Sequence, residues 1–214
     1  MNKFEKLKSM SSSEAQEFLS KLVGEDKAKL LFEETDIAVG SAQVGSIVKY
    51  AGIEWVVLEH DIHKQGTLVI AKDKLFDMAF DEDNLNDWRC SSLRQTLNNA
   101  VAGVNAKEYG LDGIKEKDLL SFERNLTTDD GMTDYGTCED YISLITCDEY
   151  RKFRKLIPNA SGWWWTLTGD SLQYSNDVRS VSSDGTLNNY YAFYGNYGVR
   201  PLCNLKSDTG VEVC

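Results

Sequence analysis

Residues 162–205 read GWWWTLTGDSLQYSNDVRSVSSDGTLNNYYAFYGNYGVRPLCNL, and this segment decides how the rest of the chain is interpreted. Three consecutive tryptophans open it, a run rich in Tyr, Asn, Ser and Gly fills it, and Gly-Val-Arg-Pro closes it. Tyr offers rigid amphipathic contact area, while Ser, Gly and Asn offer adaptable hydrogen bonds, a composition typical of binding loops. We expect the two ends to form scaffold and the middle to form a displayed surface. The alternative is a set of polar hairpin loops with a few buried aromatic residues.

The tryptophans and the closing arginine are the expected scaffold of this segment. Alternate side chains of a strand face opposite sides, so Trp163 and Trp165 should share one face and Trp164 should occupy the other. At least one face should be core, with an indole N–H bonded to a backbone carbonyl; a ligand platform is the minority alternative. Arg200 is expected to anchor the end of the fold through charge-assisted bonds.

Outward from this segment, alternating and β-rich runs predict short antiparallel strands. The expected strands are residues 46–50, 54–58, 67–71, 178–181, 186–191 and 199–205. Tight turns are expected at Ala51-Gly52, at Gln65-Gly66 and at Ser183-Asp184-Gly185. The candidates for one buried face of the first three strands are Trp55, Val57, Leu68 and Ile70.

Two helices are expected in the same domain. Ser92 can cap one of them with Gln95 as the partner, and Thr146 with Glu149 forms a second capping box. The acidic residues 81–87 lack the glycine and the distal glutamate of an EF-hand loop, so they predict a solvated loop. The sequence therefore predicts an α+β domain of short antiparallel strands and two helices.

The N-terminal part has a different periodicity. Residues 1–39 are expected to form a helical segment for assembly or docking, and residues 40–214 a ligand-binding domain. The segment is expected to be a hairpin of two helices, and the apolar stripe of the second helix consists of Phe18, Leu19, Leu22, Val23, Leu30 and Leu31. So short a hairpin cannot bury that stripe alone, so it must pack on the main domain, on a second copy or on another protein.

Composition restricts the partners and the compartment. The net charge of -11 argues against binding a nucleic-acid backbone. The five cysteines are odd in number and contain no C-x-x-C pair, which indicates reduced thiols in a chain made in the cytoplasm. The sequence has neither a signal-peptide segment nor an apolar run long enough to insert into a membrane. A phage particle needs no signal peptide, so the virion or a surface reached by another route stays open.

Catalytic chemistry has no clear signal. The two histidines, His60 and His63, would need a further metal ligand, with only Glu59 and Asp61 nearby, so a solvated turn is the better interpretation. Nucleophile-elbow, phosphate-loop and dinucleotide motifs are not found. We therefore expect a protein that is not an enzyme, with no catalytic residue, no metal and no cofactor.

Several short motifs occur in a fixed order along the chain. They are residues 44–48, 55–58, 88, 91–94, 97–98, 144–150, 163–165 and 198–201. This series resembles an uncharacterised bacterial and phage domain family with a C-type-lectin-like fold. That fold is shared with formylglycine-generating enzymes and with the variable proteins of diversity-generating retroelements.

The resemblance implies that the C-terminal segment carries the ligand-facing side chains. Retroelement variable proteins are rewritten at adenine-containing codons, which favours Asn, Tyr, Ser and Asp at exposed sites. The positions with that character are Tyr174, Ser175, Asn176, Asp177, Asn188, Asn189, Tyr190, Tyr191, Tyr194, Asn196 and Tyr197. The calcium motifs of sugar-binding C-type lectins do not occur in this chain. The chain also has no counterpart of the reactive cysteine pair of formylglycine-generating enzymes.

Three function hypotheses follow. The first is a non-enzymatic ligand-recognition protein, of the phage receptor-binding or bacterial surface type, with a protein or glycan on a cell surface as its partner. The second is a structural subunit of a phage tail or baseplate, in which the N-terminal helices drive self-association. The third is an enzyme similar to the sulfatase-modifying proteins.

Overall fold

The computed structural model describes Phe18, Lys21, residues 36–61 and residues 63–214. The chain divides into two compact units, Met1–Thr35 and Asp36–Cys214. Phe18 and Lys21 are helical, and the rest of the expected N-terminal hairpin lies outside the described residues. The hairpin and the boundary at residue 40 stay predictions. Strand pairing in the second unit begins at Ile37.

The second unit is an α+β domain made mostly of strands, with two α-helices among the described residues, as the sequence predicted. The helices are α1 (Ser92–Val101) and α2 (Cys147–Phe153). The strands are β1 (Ile37–Ala38), β2 (Ile47–Tyr50), β3 (Ile53–Asp61), β4 (Gly66–Ala71), β5 (Phe76–Asp77), β6 (Leu119–Leu120), β7 (Phe122–Asn125), β8 (Thr137–Asp140), β9 (Ile142–Ser143), β10 (Trp164–Gly169), β11 (Asp177–Val181), β12 (Leu187–Tyr191), β13 (Gly198–Val199), β14 (Leu202–Lys206) and β15 (Gly210–Val213).

These strands form two main sheets and a ribbon. The larger sheet has the order β1-β15-β2-β3-β4-β14-β6, and β9 also pairs with β14. All its pairings are antiparallel. The second sheet has the order β12-β11-β10-β13-β5, in which β10 and β13 run parallel. Strands β7 and β8 pair only with each other within the described part of the chain.

The three predicted tight turns are confirmed by their backbone conformation. Ala51 and Gly52 have φ values of 54° and 79°, which is the geometry of a two-residue hairpin turn that follows the strand twist. Gln65 has a φ of 52° directly before β4, and Gly185 has a φ of 88° between β11 and β12. Local turn chemistry is enough to set these three connections.

The prediction of a single buried face for the first three strands is wrong. Trp55 and Val57 belong to one core cluster, whereas Ile70 and the partly buried Leu68 belong to a second. Ile70 is paired with Val56. Val56 lies between Trp55 and Val57 in β3, so its side chain points to the opposite side of the strand. Both faces of the larger sheet are covered, so apolar residues point in both directions and alternation cannot identify one inner face.

The two helices begin at serine and threonine caps. Ser91 caps α1, so the prediction of Ser92 as the cap is wrong by one residue. The Ser91 hydroxyl also donates to the carbonyl of Phe80 at 2.5 Å, and this second bond fixes it as the capping side chain. At α2 the predicted capping box between Thr146 and Glu149 is confirmed.

The strand predicted at residues 199–205 is interrupted by Arg200 and Pro201. Strand β13 before this pair belongs to the smaller sheet, and β14 after it belongs to the larger one. Pro201 has no N–H to donate to a ladder, but its carbonyl accepts from the backbone N–H of Ala71 at 2.9 Å. The chain therefore passes from one sheet to the other at this dipeptide.

Arg200 is fully buried at this crossing point. Its guanidinium donates to the carbonyls of Ala71 at 2.7 Å, Pro158 at 3.0 Å and Lys72 at 2.5 Å. The Trp164 ring lies under it, with 4.9 Å between the guanidinium carbon and the ring centroid. Burial lowers the pKa of Arg200 to about 10, so the group stays charged near neutral pH. Arg200 thus bonds three carbonyls of two other segments at the point where the chain passes between the sheets.

Candidate ligand-binding surface

The three tryptophans separate the core from the surface. Trp165 is fully buried, and its indole N–H donates to the carbonyl of Met78 at 2.9 Å. Trp164 is also buried but belongs to the other core cluster. Trp163 precedes β10 and is 39% exposed. The rings of Trp163 and Trp165 both contact Tyr197, at centroid distances of 5.6 and 4.5 Å, so they lie on one side of the chain.

Aromatic rings form a continuous surface around Tyr197. The Tyr197 ring contacts Tyr190 at 5.5 Å and Tyr194 at 5.3 Å, in addition to the two tryptophans. Tyr191 continues the surface through near-parallel stacking on Phe193, with centroids 6.0 Å apart and an interplanar angle of 13°. We refer to Trp163, Tyr190, Tyr191, Phe193, Tyr194 and Tyr197 as the aromatic surface.

A groove of about 430 Å³ opens within the aromatic surface. Its lining consists of Lys74, Gly162, Trp163, Tyr190, Tyr194, Asn196 and Tyr197. Tyr197 is 8% exposed and forms the floor, whereas Trp163 and Tyr190 are exposed and flank it. Large apolar faces with a few polar groups at the margin are the usual composition of small-molecule sites.

Lys74 is held in place at one end of the groove. Its ammonium donates to both carboxylate oxygens of Asp77, at 2.7 and 3.0 Å. A Cβ at Gly198 would lie 2.5 Å from the Lys74 Cδ, so only glycine lets the lysine stem cross the backbone here. Lys74 therefore lines the groove while its ammonium is paired with Asp77.

Asn86 holds the loop before β11 in position. It is 1% exposed, and its amide Nδ2 lies within hydrogen-bonding distance of the carbonyls of Ser171 (2.9 Å), Tyr174 (3.1 Å) and Asp177 (2.9 Å). Its Oδ1 accepts from the Tyr135 hydroxyl at 2.7 Å. One buried amide thus organises a whole surface loop.

The acidic segment that contains Asn86, residues 81–87, also supports residues 192–193 of the surface. The backbone N–H of Asp81 donates to the carbonyl of Ala192 at 3.1 Å, and the Asn84 side chain accepts from the N–H of Phe193 at 3.2 Å. Asp81 is itself 4% exposed. The prediction of a loop at residues 81–87 is confirmed, and Glu82, Asp83 and Leu85 are exposed, but Asp81 and Asn86 are buried, so the loop is not solvated throughout. We refer to residues 81–87 as the brace loop, because their side chains and backbone form hydrogen bonds to residues 171–177 and to residues 192–193.

The predicted ligand-facing residues fall into two groups. Four of them line the groove: Tyr190, Tyr194, Asn196 and Tyr197. Tyr191 lies beside them, and Asn188 and Asn189 precede them on β12. The second group, residues 174–177, occupies the loop into β11, where Tyr174 is 61% exposed. The N–H of Ala192 joins the groups by donating to the carbonyl of Asn176 at 2.8 Å.

Sequence reasoning missed three contributors to this surface. Phe193 is 53% exposed and stacks on Tyr191, and its position between two tyrosines was the available signal. Lys74 and Asn86 lie far from the segment in sequence, and neither stands in a motif that points to it. Trp163 was expected in the scaffold but lines the groove, whereas Trp165 and Arg200 are fully buried.

Two ionisable groups of the surface have shifted pKa values. Burial first, and then the neighbouring Tyr190 and Tyr194, raise the pKa of Tyr197 above its ordinary value. The phenol on the floor of the groove is therefore neutral at physiological pH. Burial and the nearby Asp170 carboxylate raise the pKa of Asp177 in the second group.

Reactive cysteine chemistry would need a thiolate. Burial raises the pKa of Cys203 and of Cys147 above the ordinary thiol value, so both are protonated near pH 7.

A separate polar cleft contains Arg124, whose guanidinium bonds both carboxylate oxygens of Glu149 at 2.7 and 2.5 Å. Burial opposes ionisation of Glu149, but Arg124 holds its pKa below the ordinary value. These charges neutralise each other across the cleft.

Two further findings concern ions and membranes. Among residues 36–61 and 63–214 and the two described N-terminal positions, no three His, Cys, Asp or Glu side chains are grouped as a metal site requires. The helices of that same part of the chain are all too short or too polar to span a bilayer.

Comparison with known proteins gives one match. Residues 119–207 are similar to a family described as a domain of unknown function (DUF6273). The match begins at β6 and ends just after β14, so it includes α2 and the whole aromatic surface, but neither Lys74 nor the brace loop. No curated protein and no solved structure matches the chain.

Proposed function

We propose that this protein recognises a ligand on a cell surface through its aromatic surface and has no catalytic role. The observation that carries the proposal is the set of exposed rings, Tyr190, Tyr191 and Phe193, on a framework built from other residues. Exposed apolar rings in a contiguous patch are unfavourable in water and are typical of binding sites. Aromatic side chains also dominate the energetics of protein recognition.

The support for the surface is rigid. Buried Trp165 lies beneath it, and the brace loop fixes both surface segments by hydrogen bonds. Binding residues on loops above a rigid framework can change without loss of the fold. The arrangement suits a surface whose Tyr, Asn and Ser positions vary, as in the variable proteins of diversity-generating retroelements. We propose a C-type-lectin-like fold for the domain, supported by the order of its short motifs and by the mixture of sheets with two helices.

A cell-binding assay tests the proposal. Fluorescently labelled full-length protein is incubated with a panel of bacterial cells, and bound fluorescence is measured against protein concentration. The double variant Tyr191→Ala/Phe193→Ala should bind at least about tenfold more weakly, because each ring is an exposed anchor. The control is Val104→Ala/Met132→Ala, which removes two side chains of similar exposure elsewhere and should bind as the wild type does.

Two results would contradict the proposal. Wild-type protein that binds none of the cells would favour the structural tail or baseplate subunit. Equal binding by the double variant and the control would move the binding site away from the aromatic surface. Both variants must first show the wild-type melting profile.

A further inference from the structure

We infer that the groove between Trp163 and Tyr190 binds a neutral saccharide unit, held by ring stacking and by the Lys74–Asp77 ion pair. This inference rests on the proposed function and specifies its ligand class. The steps below concern the shape of the groove, its polar end and its charge.

The shape of the groove fits a small cyclic ligand. Its volume of about 430 Å³ lies in the range of roughly 300–1,000 Å³ that small-molecule sites occupy. Trp163 and Tyr190 are each tilted by only 37° and 31° from the plane of Tyr197. Three aromatic rings, tilted and not perpendicular to one another, thus contribute to the lining of the groove. A protein partner would instead need roughly 800 Å² of matched surface on each side.

The faces of these rings carry negative electrostatic potential. The C–H bonds on the flat side of a sugar ring carry partial positive charge, so they are attracted to such faces. A phenol with the ordinary tyrosine pKa of about 10 is neutral at physiological pH, and burial raises the pKa of Tyr197 further, so its ring carries no charge there. The exposed rings of Trp163 and Tyr190 therefore offer matching partners to the apolar face of a sugar ring.

The end and the rim of the groove supply hydrogen bonds. The Lys74 ammonium has three N–H donors, and the Asp77 carboxylate beside it is an acceptor. Asn196 is exposed on the rim and offers both a donor and an acceptor. Hydroxyl groups on adjacent carbons both donate and accept, so they can use the ion pair and the amide together.

The charges favour an uncharged ligand. Lys74 is the one charged residue among those that line the groove, and Asp77 neutralises it. An anion would gain little from a paired lysine and would be repelled by a chain of net charge -11. A cation would find no carboxylate among the residues that line the groove. A saccharide with one apolar face and several hydroxyl groups meets every feature of the site.

Trp163 gives a direct readout of occupancy. Of the five tryptophans, Trp55, Trp88, Trp164 and Trp165 are buried, so acrylamide quenching of fluorescence reports mainly on Trp163. The probes are the methyl glycosides of glucose, galactose, mannose, N-acetylglucosamine and N-acetylgalactosamine, titrated into the full-length chain. At least one glycoside should protect Trp163 from quenching. In NMR, the same glycoside should receive saturation from the protein at its sugar-ring protons.

Three variants locate the binding. Trp163→Ala should weaken binding, measured by saturation transfer, at least about tenfold, and Trp163→Phe should restore part of it. Lys74→Met keeps the stem over Gly198 but removes the donor, so a loss of about three- to tenfold is expected. Met132→Ala removes an exposed side chain outside the groove and outside the aromatic surface, so it should leave the affinity unchanged. Binding should persist in EDTA because the rings and the ion pair supply the contacts.

Cell treatments separate the ligand class from the proposed function. Periodate oxidation of the bound cells should abolish binding, whereas proteinase K treatment should leave it intact. The opposite pattern would overturn the saccharide and leave cell recognition standing. If no glycoside binds and periodate has no effect, the saccharide inference fails. If no cell binds, the proposed function fails, and glycoside binding then decides the saccharide inference by itself.

Discussion

Replacing Asn86 by alanine should destabilise the domain and release the loop of residues 171–177. The side chain is buried and contacts three backbone carbonyls of that loop and the hydroxyl of Tyr135. Two amide hydrogens and one carbonyl oxygen are thus fully used. At a net value of about 1 kcal/mol for each, the substitution should lower the free energy of unfolding by about 3 kcal/mol.

The aspartate variant sharpens this test. Asn86→Asp keeps the volume but places a carboxylate oxygen against three carbonyl oxygens, so at neutral pH it should be less stable than Asn86→Ala. Burial among carbonyls should raise the pKa of the introduced carboxyl group. Its folded pKa then exceeds the unfolded value of about 4, so its stability should recover as the pH falls toward that value.

The assay is urea denaturation at pH 7 and at pH 5, with limited proteolysis to monitor the loop. Asn189→Ala is the matched control, because Asn189 is an exposed asparagine on β12 and should change the free energy of unfolding by no more than about 0.5 kcal/mol. Equal stabilities for Asn86→Ala and Asn189→Ala would refute the claim that Asn86 organises the surface.

Three other predictions concern the framework. Trp165→Ala should lower the free energy of unfolding by about 3–5 kcal/mol in urea denaturation, because it removes a fully buried ring; a loss below about 1 kcal/mol would contradict its core role. The free energy of unfolding should fall between about pH 8.5 and 11. Burial raises the folded-state pKa of Cys203, and raises that of Cys138 to about 11. Both thiols therefore lose their protons on unfolding in this range, and rising pH favours the unfolded state. Constant urea midpoints over that range would contradict this, and Cys138→Ala should reduce the fall. Residues 36–214 expressed alone should fold with a cooperative thermal transition, and an insoluble product would instead indicate that residues 1–35 complete the core.

Local chemistry in the sequence predicted much of the framework. The capping box at Thr146, the positive-φ pair at Ala51-Gly52 and the turn at Gly185 each depend on neighbouring residues, so a short window contains the cause. The facing of Trp163 and Trp165 follows from strand alternation in the same way. Alternation says nothing about which of them is covered, so the exposure of Trp163 could not be predicted.

Contacts distant in sequence were not predictable by these means. Asn86 and Asp177 are 91 residues apart, and an acidic loop gives no sign that one of its amides is buried against another loop. Lys74 reaches the groove only because β5 pairs with β13 in the folded sheet. The passage from one sheet to the other at Arg200 depends on three carbonyls from two other segments. Such arrangements are fixed by tertiary packing.

Hydroxyl-radical footprinting of the protein bound to cells, compared with the free protein, tests the recognition surface most directly. Aromatic side chains react readily, so protection on binding identifies the covered face without any substitution. The account predicts protection of Trp163, Tyr190, Tyr191, Phe193 and Tyr194, with unchanged reactivity at Met132 and Phe122 on other parts of the domain. Protection confined to residues 1–35 or to the cleft around Arg124, with the aromatic surface still reactive, would contradict it.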